Sequence, residues 1–377
     1  MRGPVPKPGA GSPGMNSGRL RGVDAARGLA AGLVLIHHLD VFFPIALTGL
    51  LGNSFALSLL NALSSLNSEA VMLFFVISGF CIQATSRRYD FFRRNDLAHY
   101  GLRRAARILP PYLIAIAFTF AIGMVMGRTA DKSFSFETLA GNLAFVQTSD
   151  GMRGTWFVPF GNNAPLWSLS FEVFYYVIFP AAILLELRLL GGFGLRRSLA
   201  GLALTFAGCC ASLLCYELLP NPIMLFATLY FVWRIGVSIE DVQSKLASPA
   251  ELAGMLLLLA ILIATVIWLR GSATLELMLS GAIIGMLWLL LRRQELAWLL
   301  NSPPVGALVG VLARIGLISY SLYLLHYPIL QLTKYLMSDT WIALLVAVAA
   351  ALIAATATER AGAWMQRRVL AGSAKLA

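Results

Sequence analysis

At 377 residues, 58% hydrophobic and only 12% charged, with a mean hydropathy of +0.76, the chain lies far from a soluble composition. One polytopic membrane domain takes up nearly the whole length and leaves no room for a separate soluble domain. The net charge of +11 would suit nucleic acid, but its distribution along the chain assigns it to membrane topology instead.

In chain order, residues 1–18 (MRGPVPKPGAGSPGMNSG) are rich in Gly and Pro and read as a disordered cytoplasmic tail. The apolar run after them carries Asp24 and Arg27 and lacks a small-x-small cleavage site, so it is not read as a signal peptide. Spans of near twenty apolar residues are expected at 24–44, 68–84, 105–127, 166–185, 199–219, 222–239, 252–269, 274–291, 312–334 and 340–358. Residues 45–66 form an extra re-entrant or interfacial piece. Residues 361–377 are left as a short cytoplasmic tail. The fold class is therefore all-α, a polytopic membrane protein of about ten transmembrane helices. With ten spans, 24 of the 29 Lys and Arg fall on the side of the N-terminus and five on the other. That bias places both termini in the cytoplasm and makes nucleic acid an unnecessary partner. The four cysteines (Cys81, Cys209, Cys210 and Cys215) lie in apolar runs without metal-ligand spacing, so neither a disulfide framework nor a zinc site is read from them.

Ionisable residues inside apolar spans are costly, and each is a functional-site candidate. The first span reads ARGLAAGLVLIHHLDVFF. Arg27 and His38 are eleven residues apart, about 1100° of helical rotation, so they share one face at a separation of about 16 Å. Asp24 lies one turn from Arg27 and can pair with it. His37 points about 100° away from His38 and reads as a packing neighbour. In the second span (FFVISGFCIQA), Ser78–Gly79 sits near the middle, where a glycine admits either a neighbouring backbone or a ligand. The basic stretch before the third span places Arg104 and Arg107 one turn apart, suited to a polyanion through their guanidinium forks. Plain anchoring to anionic membrane lipid accounts for the same pair. His99 in that stretch reads as solvated.

The fourth span opens NNAPLWSLSFEVFYYVIFP, with Pro165 and Ser168 as helix-start signals. Glu172 then lies within about two turns of the outer edge and requires partners. Trp167 reads as a residue of the interfacial belt. The ninth span (ARIGLISYSLYLLHYPILQLTKY) puts His326 about 21 Å up a helix entered near residue 312. These depths predict one polar layer holding His38, Glu172 and His326. The HHLD pair fails the soluble HHxxxD and HxxxxD patterns, because Phe42 and Phe43 stand where Asp is needed. No P-loop, GxGxxG, CxxC pair or HExxH occurs. Gly28-x3-Gly32 and Gly123-x3-Gly127 read as helix-packing sites.

Taken together and in this order, RLRGVDAARGLAAGLVLIHH, FFVISGF, RRAARILPPY, APLWSLSFEVFYYVIFP and ISYSLYLLHYPI resemble the acyltransferase 3 family of integral-membrane O-acyltransferases, from about residue 19 to 360. The resemblance selects Arg27 and His38 over His37, because the family marks its first helix by a basic residue, ten residues and a His. It maps the family's R-x-x-R onto Arg104 and Arg107, its W-S-L-S-x-E onto Trp167 to Glu172, and its late H-W-P onto His326-Tyr327-Pro328. The family commonly carries a second acid after that Glu; here the position is Val173, and any role of that acid cannot apply. No appended hydrolase-like domain is expected.

The resemblance implies transfer of an acyl group, usually acetyl, from cytoplasmic acyl-CoA to a hydroxyl of a carbohydrate or lipid-linked glycan, in the cell (inner) membrane and without a metal. On that reading Arg27, Arg104 and Arg107 bind the donor, and His38 is the base or acyl-accepting nucleophile. Glu172 or His326 orients the base or binds acceptor hydroxyls, and Ser78 is a candidate for the thioester oxygen. The competing class is a transporter or exporter using the same Arg, His and Glu as a solute or proton path.

Overall fold

The structure is a computed structural model that describes residues 17–190, 195–244, 273–291 and 302–373, together with helical positions 253, 257, 260 and 264. The span expected at 252–269 otherwise lies outside the described residues. Every regular element among the described residues is helical, with a single isolated β-bridge between Gln147 and Phe157. The long helices are α1 (Ser17–Phe42), α4 (Asn67–Ser86), α5 (Arg94–Val125), α7 (Trp167–Leu190), α8 (Leu195–Leu218), α9 (Pro222–Ser244) and α10 (Ala273–Leu291). They are followed by α11 (Pro303–Leu317), α12 (Ser319–Met337) and α13 (Trp341–Ser373). Short helices α2 (Pro44–Leu51), α3 (Phe55–Ser64) and α6 (Phe136–Leu143) occupy the connections. Among the described residues seven helices are long and apolar enough to cross a membrane, or eight if the bent pair α11–α12 counts as one span. The protein is thus a multi-pass membrane protein.

Three of the expected spans change. The third span begins at Arg94 rather than 105, so Arg104 and Arg107 lie about three turns inside α5 instead of at its start. The ninth span is broken: α11 and α12 meet at 73°. At Ile318 the backbone leaves the helix (φ −108°, ψ 5°), its N–H tightens onto Ile315 O, and Ser319 Oγ donates to Gly316 O at 2.8 Å. His326 therefore stands about 10 Å into a new helix, not 21 Å along one begun near residue 312. The last span continues past 358 as α13, which runs to Ser373.

Glycines set the closest helix contacts. A Cβ on Gly28 would lie 1.8 Å from Leu312 O, and one on Gly316 would lie 1.8 Å from Asp24 O, so α1 and α11 touch backbone to backbone. In the same way Gly79 faces Trp233 O and Gly236 faces Val76 O, closing α4 on α9. The expected packing motifs hold only at their first members. Gly123 packs on the Phe134 ring, whereas Gly32 meets nothing within 4 Å. Gly127 is a left-handed residue (φ +67°) just past α5. Small residues let membrane helices approach closely where apolar burial alone gives no preference.

Substitution Gly28→Leu should therefore destabilise the protein by about 1–3 kcal/mol through overpacking. Gly32→Leu should leave its thermal unfolding in detergent unchanged. Equal shifts for the two variants would refute this reading of the α1–α11 contact.

Candidate active site

α1 and α12 bring His38 and His326 into contact: His326 Nε2 lies 3.1 Å from His38 Nδ1. Both rings are buried, at 9% and 1% exposure. Each imidazole is also tied to its own helix one turn back, His38 Nδ1 to Val34 O at 2.9 Å and His326 Nδ1 to Leu322 O at 2.9 Å. A carbonyl oxygen only accepts, so each Nδ1 carries the proton. His326 Nε2 is then a bare lone pair and accepts from His38 Nδ1–H, which it shares with Val34 O. The remaining nitrogen, His38 Nε2, is left unprotonated and free for chemistry. A ring whose other nitrogen is fixed in this way has one tautomer and one orientation. Tyr327 packs its ring edge-on to His38 at 5.1 Å.

His37 takes no part in the pair. Its Nδ1 is 3.1 Å from Ser64 O, and Ser64 Oγ donates to Asp40 at 2.8 Å, which fastens α3 to the end of α1.

Glu172, which the depth argument groups with the histidines, takes its hydrogen bonds from other side chains. No hydrogen bond joins it to His38 or His326; its Oε1 instead accepts from Ser78 Oγ at 3.0 Å and from Tyr176 Oη. Ser78 Oγ also accepts from Trp233 Nε1 at 3.2 Å, so α4, α7 and α9 converge on one hydroxyl. Between the two clusters stands Tyr323, with its hydroxyl 2.8 Å from Ser168 Oγ and its ring 6.2 Å from that of His326. Glu172 lies close enough to Tyr323 and Tyr320 to act on both electrostatically. Asn163 fixes the same stretch of α12 by donating to Leu324 O at 2.9 Å.

The two arginines of α5 separate. Arg107 is taken: Glu359 of α13 binds its guanidinium, Ser321 Oγ holds the other Glu359 oxygen at 2.7 Å, and the Tyr320 ring lies under the charge. Arg104 is the available member. Its Nη2 makes only a long 3.5 Å contact to Thr85 Oγ1, it lies over the Tyr100 ring, and its buried Nε has no partner. Arg27 makes no ion pair with Asp24 among the described residues, although it acts on that carboxyl through space. Arg27, Arg104 and Glu172 all lie within electrostatic reach of Cys81, one turn from Ser78. A polar path therefore runs from Arg27 and Arg104, past Ser78, Glu172 and Tyr176, over Tyr323, to His326 and His38.

The sequence reading missed Tyr176, Tyr323, Trp233 and Glu359. Tyr176 carried a signal, since it follows Glu172 by four residues and so shares its helix face. Glu359 was set outside the last span by one residue. Arg234, one of the charges counted on the side of the N-terminus, is buried at 1% exposure and paired with Glu186 at 3.0 Å.

Because Arg107 and Glu359 complete each other, Arg107→Ala strands a largely buried carboxylate. It should cost about 1–3 kcal/mol, read as a lower unfolding temperature in detergent. Arg104→Ala, which leaves no carboxylate behind, should not lower it. A fall for both or for neither would overturn this division of roles.

An acyltransferase domain profile of the acyltransferase 3 family matches residues 20–360. The chain is also 25% identical over 363 residues to the peptidoglycan O-acetyltransferase OatA of Listeria monocytogenes serovar 1/2a (strain ATCC BAA-679 / EGD-e), covering 88% of this chain and 53% of that protein. The chain thus spans about half the length of that relative. No solved structure matches. With the profile covering the helices from α1 into α13, and with them the polar path and the histidine pair, the chain belongs to the acyltransferase 3 family.

Proposed function

We propose that this protein is a membrane O-acyltransferase that moves an acyl group, usually acetyl, from acyl-CoA to a hydroxyl of a carbohydrate or lipid-linked glycan. The observation that carries the reading is the His38–His326 contact, which leaves one bare imidazole nitrogen at the end of a polar path beginning at unsatisfied arginine. The Lys and Arg bias supports placing the arginine end, with both termini, in the cytoplasm, where acyl-CoA is found. The acceptor class is supported by the similarity to the Listeria peptidoglycan O-acetyltransferase.

In the mechanism that follows, the donor phosphates dock on Arg104, with Arg27 alongside and Arg107 held by Glu359. The pantetheine arm runs past Ser78, Glu172 and Tyr176, whose hydroxyl and carboxyl groups match its amides. The acceptor oxygen attacks the thioester carbonyl carbon while His38 Nε2 takes the hydroxyl proton. His326 Nε2 accepts from the Nδ1–H of the imidazolium so formed, as a carboxylate does in a serine hydrolase. The tetrahedral intermediate expels the CoA sulfur, which receives the proton from His38. Acyl transfer through His38 itself uses the same bare nitrogen as nucleophile.

Purified protein supplied with labelled acetyl-CoA and a glycan acceptor should release CoA and yield an O-acetyl ester. His38→Ala should slow this by about 10²–10⁴-fold, the range of a positioned general base, with membrane insertion intact. Arg104→Ala should raise the KM for acyl-CoA and leave that for the acceptor unchanged. Gradient-driven solute flux with no donor turnover would instead make the path a transport route.

A further inference from the structure

Ser78 is an exception among the hydroxyls of these helices. Thr85, Thr228 and Thr333 each donate back to the carbonyl four residues earlier, at 2.8 Å. That is the usual resort of a hydroxyl in an apolar helix. The Ser78 hydroxyl is drawn off α4 instead. Trp233 Nε1 lies 3.2 Å from its oxygen, and an indole nitrogen only donates, so Ser78 Oγ accepts there. The hydrogen of Ser78 goes to Glu172 Oε1 at 3.0 Å. Trp233 is fixed on every side. It is fully buried, its ring stacks on Tyr230 at 5.6 Å, and Phe179 meets it edge-on at 5.5 Å. Its carbonyl abuts Gly79, where a Cβ would lie 2.0 Å away. Glu172 Oε1 thereby receives two hydroxyls, those of Ser78 and Tyr176. Oε2 takes no hydrogen bond from any described residue and is not sealed in by packing. A carboxylate that is half satisfied and half bare, inside an apolar bundle, is suited to a ligand that donates a hydrogen bond.

We propose that Trp233 is a positioning residue for the acyl donor. Its indole N–H holds Ser78 off its own helix, so that Ser78 and Tyr176 fix Glu172 through Oε1 and present Oε2 to an amide N–H of the pantetheine arm. The proposal rests on the acyl-CoA reading above and names the donor group that Glu172 recognises. Between phosphates on Arg104 and a thioester at His38, the arm carries secondary amides, whose N–H groups are costly to leave unpaired away from water. Trp233 touches no substrate and acts through Ser78. Without the indole N–H, the Ser78 hydroxyl is free to turn to Phe74 O, four residues back, as the threonines do to theirs. Glu172 then loses one of the two bonds that orient it.

The test begins with Trp233→Phe, which keeps an aromatic ring against Tyr230 and Phe179 but lacks the N–H. It should raise the KM for acetyl-CoA about three- to tenfold, the worth of one hydrogen bond. Its kcat and its KM for the glycan acceptor should stay within about twofold of wild type. Ser78→Ala should raise the donor KM to a similar extent, and the double variant no further, because the two residues act as one unit. Wild-type protein supplies an independent readout, through acetyl-CoA analogues in which one pantetheine amide at a time is replaced by an ester. One analogue should show a KM about three- to tenfold higher, and that penalty should shrink in Trp233→Phe. Equal tolerance of every ester analogue by the wild type would overturn the proposal, as would additive losses in the double variant. A rise in the acceptor KM in place of the donor KM would also overturn it and give Glu172 to the acceptor hydroxyl. A fall in kcat for every donor, with a lower unfolding temperature in detergent, would reduce Trp233 to a packing residue. Failure of the wild type to release CoA from acetyl-CoA would bring down the donor reading itself, and this assignment with it.

Discussion

An imidazole pinned to the carbonyl of its own helix has one nitrogen left to use, and the site depends on that constraint applied twice. Val34 O fixes the proton of His38 on Nδ1, and Leu322 O does the same for His326. The contact between the rings then has a single sense, from His38 Nδ1–H to His326 Nε2. Much of the surrounding architecture serves to bring these two helices together at this depth. The backbone contact of Gly28 with α11 and the 73° break at Ile318 direct α12 onto α1, and Asn163 pins α12 at Leu324.

Charge inside an apolar bundle must be partnered or used, and the basic residues divide along that line. Arg107 is held by Glu359, Arg234 by Glu186, and Arg87 bridges Glu240 and Asp241 at the end of α9. These pairs lock α5 to α13, α9 to α7 and α4 to α9. Arg104 stands apart, with a buried Nε that no described group satisfies. A site for a phosphorylated donor requires such a cation, because a guanidinium already saturated by carboxylate has little left to offer a phosphate.

The class of the fold was legible from hydropathy alone, and the structure gives the two adjacent histidines different surroundings. His38 meets His326, and His37 turns to Ser64. What the sequence hid was geometry between helices. Counting residues from a span's entry assumes a straight helix, and Ile318 breaks that assumption for His326. The same count grouped Glu172 with the histidines but could not show that its hydrogen bonds come from Ser78 and Tyr176. Spacing made Arg104 and Arg107 equivalent; only the approach of α13, remote in sequence, made one a structural ion pair and left the other open. The approach of Glu359 to Arg107 carries no local signature, since it depends on tertiary packing across about 250 residues.

The central claim is that His38 presents an unprotonated Nε2 because His326 and Val34 hold its proton on Nδ1. With only four histidines in the chain, ¹⁵N solid-state NMR of histidine-labelled protein in lipid bilayers reads this directly. The account predicts neutral rings at His38 and His326, each protonated on Nδ1, with the His38 Nδ1 signal shifted when His326 is replaced by Ala. A proton on His38 Nε2, or a His38 spectrum indifferent to loss of His326, would contradict it.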